Sequence, residues 1–115
     1  MEDFIRDPKK NLVNDFDKII STGKEVIRVE AEAVSNLFGK INNGFAEAVD
    51  LIMRSEGRVV LTGVGKSGLI ARKIVATMNS TGTPAIYLHP TDALHGDLGM
   101  VRKEDVVILL SKSGA

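Results

Sequence analysis

The feature that most narrows what this chain can fold into is a change of pattern at residues 58–68. Arg58-Val59-Val60-Leu61-Thr62 is a short, β-branched apolar run, which reads as a buried strand. Gly63-Val64-Gly65-Lys66-Ser67-Gly68 follows at once as a tight glycine-rich turn. Beyond it, Ile70, Ile74 and Met78 fall on one stripe of a helix, with Ala71 and Val75 beside them, and Gly82 and Pro84 stop it. Residues 85–88 read as a second strand, residues 89–99 as a polar connection with a helical turn, and residues 105–110 as a third strand. Strand, helix, strand, connection, strand is the pattern of a parallel sheet with right-handed crossovers, an α/β fold. Such a sheet needs both faces covered, and three strands make only half of a doubly wound sheet. The expectation is an incomplete sheet, the N-terminal piece of a longer protein.

Upstream, residues 1–12 are polar and read as a loose arm. From Asp15 the residues Phe16, Ile19, Ile20, Val26, Ile27, Val34, Leu37, Phe38 and Ile41 recur at helical spacing. Gly23 interrupts them at a cost of about 1 kcal/mol relative to Ala. Asn42-Asn43-Gly44 reads as a break. A second helix follows with Phe45, Val49, Ile52 and Met53 on one face, and Gly57 is placed to end it. Residues 13–56 are thus a helical lead-in. The apolar stripe over residues 16–41 is long for a small domain; packing on the chain's own core is the commoner outcome, burial against another subunit the alternative.

Composition excludes several classes. Lysine plus arginine and aspartate plus glutamate both number 15, so the formal net charge is +0. That gives no electrostatic reason to expect nucleic acid or an anionic membrane as a partner. The absence of cysteine excludes a disulfide framework, a thiolate metal site and a cysteine nucleophile. A hydrophobic fraction of 43% is that of a globular chain. No apolar run approaches the ~20 residues that span a bilayer, and Met1-Glu2-Asp3-Phe4 lacks the pattern of a secretory signal. The expected location is the cytoplasm.

The turn at 63–68 matches G-x-G-x-x-G between a strand and a helix, the context of a dinucleotide fingerprint. Strand two, however, ends Leu88-His89 without the acidic residue that would hold a ribose. Gly65-Lys66-Ser67 also resembles the phosphate loop of nucleotide hydrolases, but the glycine that motif needs falls on Val60. What survives is simpler. A glycine turn entering a helix offers backbone N–H groups and the positive end of a helix dipole. Ser67 adds a hydroxyl and Lys66 a point charge, which together suit one phosphate. The bland alternative is a tight turn with Ser67 as an ordinary N-cap. Ser111-Lys112-Ser113-Gly114 follows strand three, again at a strand C-terminal end, where open parallel sheets bind ligands.

Both histidines lie in His89-Pro90-Thr91-Asp92-Ala93-Leu94-His95-Gly96-Asp97. A histidine near that sheet edge can transfer protons near neutral pH or hydrogen-bond a sugar hydroxyl. The bland reading is that each bonds to loop backbone, more so for His89, which precedes a proline. His89, Asp92, His95 and Asp97 match no recognised metal-ligand spacing, and neither metal nor cofactor is expected.

In order along the chain, residues 60–68, Ser80-Thr81-Gly82-Thr83-Pro84, His89-Pro90, Ala93-Leu94-His95-Gly96-Asp97-Leu98-Gly99-Met100 and Ser111-Lys112-Ser113-Gly114 closely resemble the sugar isomerase (SIS) domain family, in its D-arabinose-5-phosphate isomerase branch. The resemblance covers residues 13–115, with residues 57–115 as the first half of the SIS domain. It implies an αβα three-layer fold with a parallel sheet, the rest of the SIS domain and cystathionine-β-synthase-type modules lying beyond this chain. It implies interconversion of ribulose 5-phosphate and arabinose 5-phosphate through an enediol, in supply of the lipopolysaccharide sugar Kdo. It places phosphate on Ser67, Ser111 and Ser113, with Gly65 and Gly114 in the binding turns. Lys66 becomes the oxyanion or hydroxyl stabiliser and His95 an acid–base or ring-opening group. The family's catalytic glutamates and a further histidine fall after Ala115, and Thr91-Asp92 stands where relatives often have Gly-Glu. A homo-oligomer, by resemblance a tetramer, is implied. The alternatives are a non-catalytic sugar-phosphate-binding regulatory module and an isomerase of another sugar phosphate.

Overall fold

The computed structural model of the chain describes residues 12–114. The arm expected over residues 1–12 therefore lies outside the described residues, except for Leu12, which opens the first helix. The chain divides into two compact units after Asn43.

The first unit holds α1 (Leu12–Asn36) and a 3-10 turn, Phe38–Lys40. Arg28 braces α1 by reaching Glu25 at 2.6 Å and Glu32 at 2.9 Å, pairs one turn apart. The helix stops five residues short of the expected Ile41. Around Gly39 the chain tightens instead, with the Leu37 N–H donating to the Val34 carbonyl and the Lys40 N–H to the Leu37 carbonyl. Phe16, Ile19, Ile20, Val26, Ile27 and Val34 of this helix are all exposed. Among the described residues no helix is long and apolar enough to cross a membrane.

The boundary falls after the first residue of α2 (Asn43–Arg54), and the rest of that helix opens the second unit. The break thus falls at residues 37–42, before Asn43-Gly44, because asparagine and glycine are favoured at helix starts as well as in turns. Then come β1 (Val59–Gly63), α3 (Lys66–Ser80), β2 (Ala85–Tyr87), the short α4 (Pro90–Leu94), a 3-10 turn over Asp97–Met100, and β3 (Val106–Leu110). The three strands are parallel in the order β2-β1-β3. The α/β expectation holds, with β1 in the middle.

One face of the sheet carries the core. Val59 and Leu61 of β1 and Ala85 of β2 bury against Ala71 of α3, with Ile52, Ile74, Val75 and Met78 packed around them. The α3 stripe is therefore centred on Ala71, not on Ile70, which is exposed. A small residue at that position lets the helix backbone approach β1 closely. Asn79 fastens the other end of α3, since its side-chain amide both donates to the Ala85 carbonyl at 3.0 Å and accepts from the Ala85 N–H at 2.8 Å.

Strand alternation sends Val60, Thr62, Val107 and Leu109 to the opposite face. Val60 and Leu88 are buried there, but Val107 is 45% and Leu109 74% exposed. Within the second unit the connection from residue 88 to 105 covers this face, through α4 and the 3-10 turn. At the strand N-terminal ends, the fully buried Asp105 carboxylate ties β1 to β3. It accepts the Arg58 N–H at 2.8 Å, the Arg102 N–H at 2.7 Å and the Arg58 guanidinium at 3.1 Å. Those backbone N–H groups, with the guanidinium behind them, hold its pKa down at about 2.

Candidate functional site

The site forms where β1 and β3 end. Parallel pairing aligns their last residues, Gly63 with Leu110, so the chain leaves the sheet twice at one place. The order β2-β1-β3 makes this a point where successive connections diverge to opposite faces, which opens a crevice at the strand C-terminal ends.

The first wall is the glycine turn. Gly65 takes φ 59°, ψ −126°, a conformation that side chains resist, and α3 begins at the next residue. The first N–H groups of a helix have no intrahelical acceptor. Ser67 is therefore the second residue of α3 and not its N-cap; the cap position belongs to Gly65, which makes no side-chain cap bond. Ser67 is half-buried there and lines the crevice.

The second wall follows β3. The Ser111 hydroxyl accepts the Gly114 N–H at 2.9 Å, and Gly114 takes φ 78°. Accepting this bond curls residues 111–114 into a turn.

Between these walls lies a cleft of about 570 Å³ lined by Lys66, Ser67, Ile70, Leu109, Leu110, Ser111 and Lys112. The structure thus brings together three of the residues singled out in the sequence, Lys66, Ser67 and Ser111. Gly65 sits at the cleft's edge by chain continuity. Ser113 and Gly114 continue the second turn without lining the cleft. Lys112, not singled out in the sequence, lines the same cleft as Lys66. Two lysines, two serines and a helix N-terminus form a donor set whose charge and reach suit one phosphate.

An open apolar cavity of about 620 Å³ adjoins the cleft and shares Ser67, Leu109, Leu110, Ser111 and Lys112 with it. It occupies the sheet face left uncovered, between Val107 and Leu109 on one side and Leu94 and Leu98 on the other. Thr62 lines it, and the Thr62 hydroxyl is buried there with no hydrogen-bond partner. Strand parity could have located this hydroxyl, because Thr62 shares a face with Val60 and not with Leu61.

The histidines sit elsewhere. His89 Nδ1 accepts the Thr91 N–H at 3.1 Å and caps α4, the loop-backbone role anticipated for it. His95 is the exposed C-cap of α4, its N–H donating to the Thr91 and Asp92 carbonyls. It lines neither cavity. Among the described residues no three His, Asp or Glu side chains form a metal-holding group.

A residue that the sequence did not flag fixes the first wall. Tyr87, at the end of β2, donates its hydroxyl to the Gly63 carbonyl at 2.8 Å. The guanidinium of Arg72 lies 4.5 Å from the centre of the Tyr87 ring, and His89 meets that ring edge-on.

Comparison with known proteins agrees with this architecture. The chain is 45% identical over 96 residues to the arabinose 5-phosphate isomerase GutQ of Shigella flexneri, covering 84% of this chain and 30% of that protein. It is 46% identical over 96 residues to the arabinose 5-phosphate isomerase KdsD of Pseudomonas aeruginosa, covering 84% of this chain and 29% of that protein. Among solved structures it matches c3406 of Escherichia coli CFT073, in complex with arabinose 5-phosphate, with a TM-score of 0.76 and 47% identity over 82% of this chain and 50% of that one. The chain therefore spans less than a third of the length of these curated relatives. The family model for the SIS domain matches residues 52–115. With its parallel sheet, its two turns at the strand ends and this match over more than half its length, the chain belongs to the SIS domain family.

Proposed function

We propose that this protein is an aldose–ketose isomerase that interconverts D-ribulose 5-phosphate and D-arabinose 5-phosphate through an enediol. The observation that carries the reading is the convergence of Lys66, Ser67, Ser111 and Lys112 on one cleft. The activity for which the relatives are named supports the choice of sugar, as does the sugar-phosphate complex of the structural neighbour. Ser67 and Ser111 grip the phosphate, with Ser113 and the backbone of Gly65 and Gly114 completing the two turns. That grip orients the carbon chain, converting a diffusive encounter into a fixed one. Lys66, beside Ser67, stabilises the oxyanion that develops as a proton moves between C1 and C2. His95 serves as an acid–base or ring-opening group. The reading extends to a cytoplasmic homo-oligomer that supplies arabinose 5-phosphate for Kdo and lipopolysaccharide.

One observation favours a second reading. His95 does not line the cleft that holds Lys66 and Ser67, as a regulatory sugar-phosphate-binding module would allow. Calorimetric titration with arabinose 5-phosphate, paired with a coupled assay of its formation from ribulose 5-phosphate, separates the two. Binding with turnover supports the isomerase. Saturable binding without turnover gives the site to a regulatory module. Failure to bind the sugar phosphate overturns both.

A further inference from the structure

The glycine turn is more tightly held than its sequence implies. A loop of glycines is intrinsically permissive, and a permissive loop loses entropy each time it orders around a ligand. Here the turn's first peptide is fixed from outside. The Gly63 carbonyl, at the end of β1, accepts the Tyr87 hydroxyl at 2.8 Å across 24 residues of sequence. Beside that bond the same carbonyl faces Gly68, where an added Cβ would stand 2.6 Å from the oxygen and 2.7 Å from the Tyr87 hydroxyl. Strand β1, strand β2 and the first turn of α3 therefore meet on one oxygen atom. Tyr87 itself is set by Arg72, which projects from α3 and stacks on its ring at 4.5 Å.

From this we infer that Tyr87 is a positioning residue for the phosphate-binding turn. Its hydroxyl fixes the plane of the Gly63 peptide, and so the direction in which Val64, Gly65 and the first N–H groups of α3 point. Arg72 assists by fixing the ring. The inference rests on the phosphate reading of the cleft for its consequence, but not for its geometry. Tyr87 lines neither cavity, so it acts through the backbone and not by touching the sugar.

Tyr87→Phe deletes the hydroxyl and keeps the ring beneath Arg72. Without the bond the turn samples other conformations, and apparent affinity falls by the fraction of time it spends in the wrong ones. A hydrogen bond of ordinary net worth sets that loss at about three- to tenfold. Two measurements are made on wild type and Tyr87→Phe: calorimetric titration with arabinose 5-phosphate, and amide hydrogen exchange of residues 64–68 without ligand. The expected result is three- to tenfold weaker binding, faster exchange confined to residues 64–68, an unchanged Tm within a few degrees and, where turnover is measured, a raised KM with kcat nearly kept. Arg72→Gln is the second variant. Arg72 is exposed, so its loss leaves the fold intact, and the same changes should appear at about two- to threefold even if Tyr87→Phe does not fold. Binding and loop exchange at wild-type levels in the folded variants overturn the inference. If wild type itself does not bind, the phosphate reading falls, while the exchange of residues 64–68 still decides whether Tyr87 positions the turn.

Discussion

Gly63, the last residue of β1, stands in register with Leu110, the last residue of β3. Because of that pairing, Ser67 and Ser111 line one cleft although 44 positions separate them in the sequence. The register predicts that the two hydroxyls act on the same ligand group. A hydrogen bond to a charged group is worth about 1.5–3 kcal/mol. Ser67→Ala and Ser111→Ala should therefore each weaken arabinose 5-phosphate binding roughly tenfold or more. In the double variant the losses should depart from additivity, as for residues sharing a partner. Titration calorimetry on the four proteins of the cycle reads this directly. Strictly additive effects would place the hydroxyls on separate groups.

The two lysines of the cleft should separate kinetically. Lys66 opens α3 beside Ser67, while Lys112 sits between the serines of the second turn. Lys66→Gln should depress kcat, because an oxyanion partner works mainly in the transition state. Lys112→Gln should raise KM and leave kcat nearly unchanged, the signature of uniform binding. Lys112 is exposed, so its contribution is screened. At ~1 M salt the screening length is about 3 Å, and most of the Lys112→Gln defect should vanish. His95→Gln should resemble Lys66→Gln, lowering kcat far more than affinity. A pure KM effect would make His95 a binding group.

At the other end of the strands, Asp105 predicts how the fold responds to acid. Its folded pKa is held at about 2, below the ordinary carboxylate value near 3.8, chiefly by the Arg58 and Arg102 N–H groups. A depressed pKa means that the unfolded chain binds the proton more tightly. The stabilisation is therefore complete above pH ~5 and is lost as pH falls from about 4 to about 2. Asp105→Asn should lower Tm at neutral pH and flatten the dependence across that window. Thermal melts followed by far-UV circular dichroism at pH 7, 4 and 3 compare the two proteins. Parallel pH profiles would remove Asp105 from the acid response.

What the sequence made legible was local. The run at 58–62 and the glycines after it lie within one strand–turn–helix, so period and turn chemistry sufficed to place Lys66 and Ser67 at a strand end. Ser111 followed from the same rule at β3. Placing the Ser67 hydroxyl correctly needed one finer fact. Gly65 takes the cap, and sequence preference alone favours serine there. Tyr87 was not legible, because its bond to Gly63 depends on β2 lying beside β1 in a given register. Lys112 was not legible either, because its place in the cleft depends on β3 ending level with β1. The apolar stripe of α1 shows the opposite limit. Periodicity correctly gave a helix with an apolar face, but nothing in a period says what covers that face. The centring of α3 on Ala71 and not Ile70 has a similar origin, since close approach to β1 favours the small side chain over the large one.

Gly68 supplies the sharpest test of the packing around the turn. Glycine inside a helix ordinarily costs about 1 kcal/mol relative to alanine, so Gly→Ala is by default stabilising. At Gly68 the added methyl would lie 2.6 Å from the Gly63 oxygen and 2.7 Å from the Tyr87 hydroxyl. Neither neighbour yields easily, because one is backbone at the end of a strand and the other is bonded to it. Overpacking of this kind costs about 1–3 kcal/mol, which outweighs a propensity gain already reduced in the first turn of α3. Gly68→Ala should therefore lower stability by roughly 1–2 kcal/mol, a fall in Tm of several degrees for a unit of this size. It should also weaken sugar-phosphate binding, because the atom it displaces is the one from which the turn departs. Gly23, in the middle of α1, is the control. An added Cβ there meets nothing within 4 Å, so Gly23→Ala should raise stability by about 0.5–1 kcal/mol. The same substitution in two helices should thus move Tm in opposite directions. A stabilised Gly68→Ala would mean that α3 and β1 stand further apart than their contact at Gly63 requires.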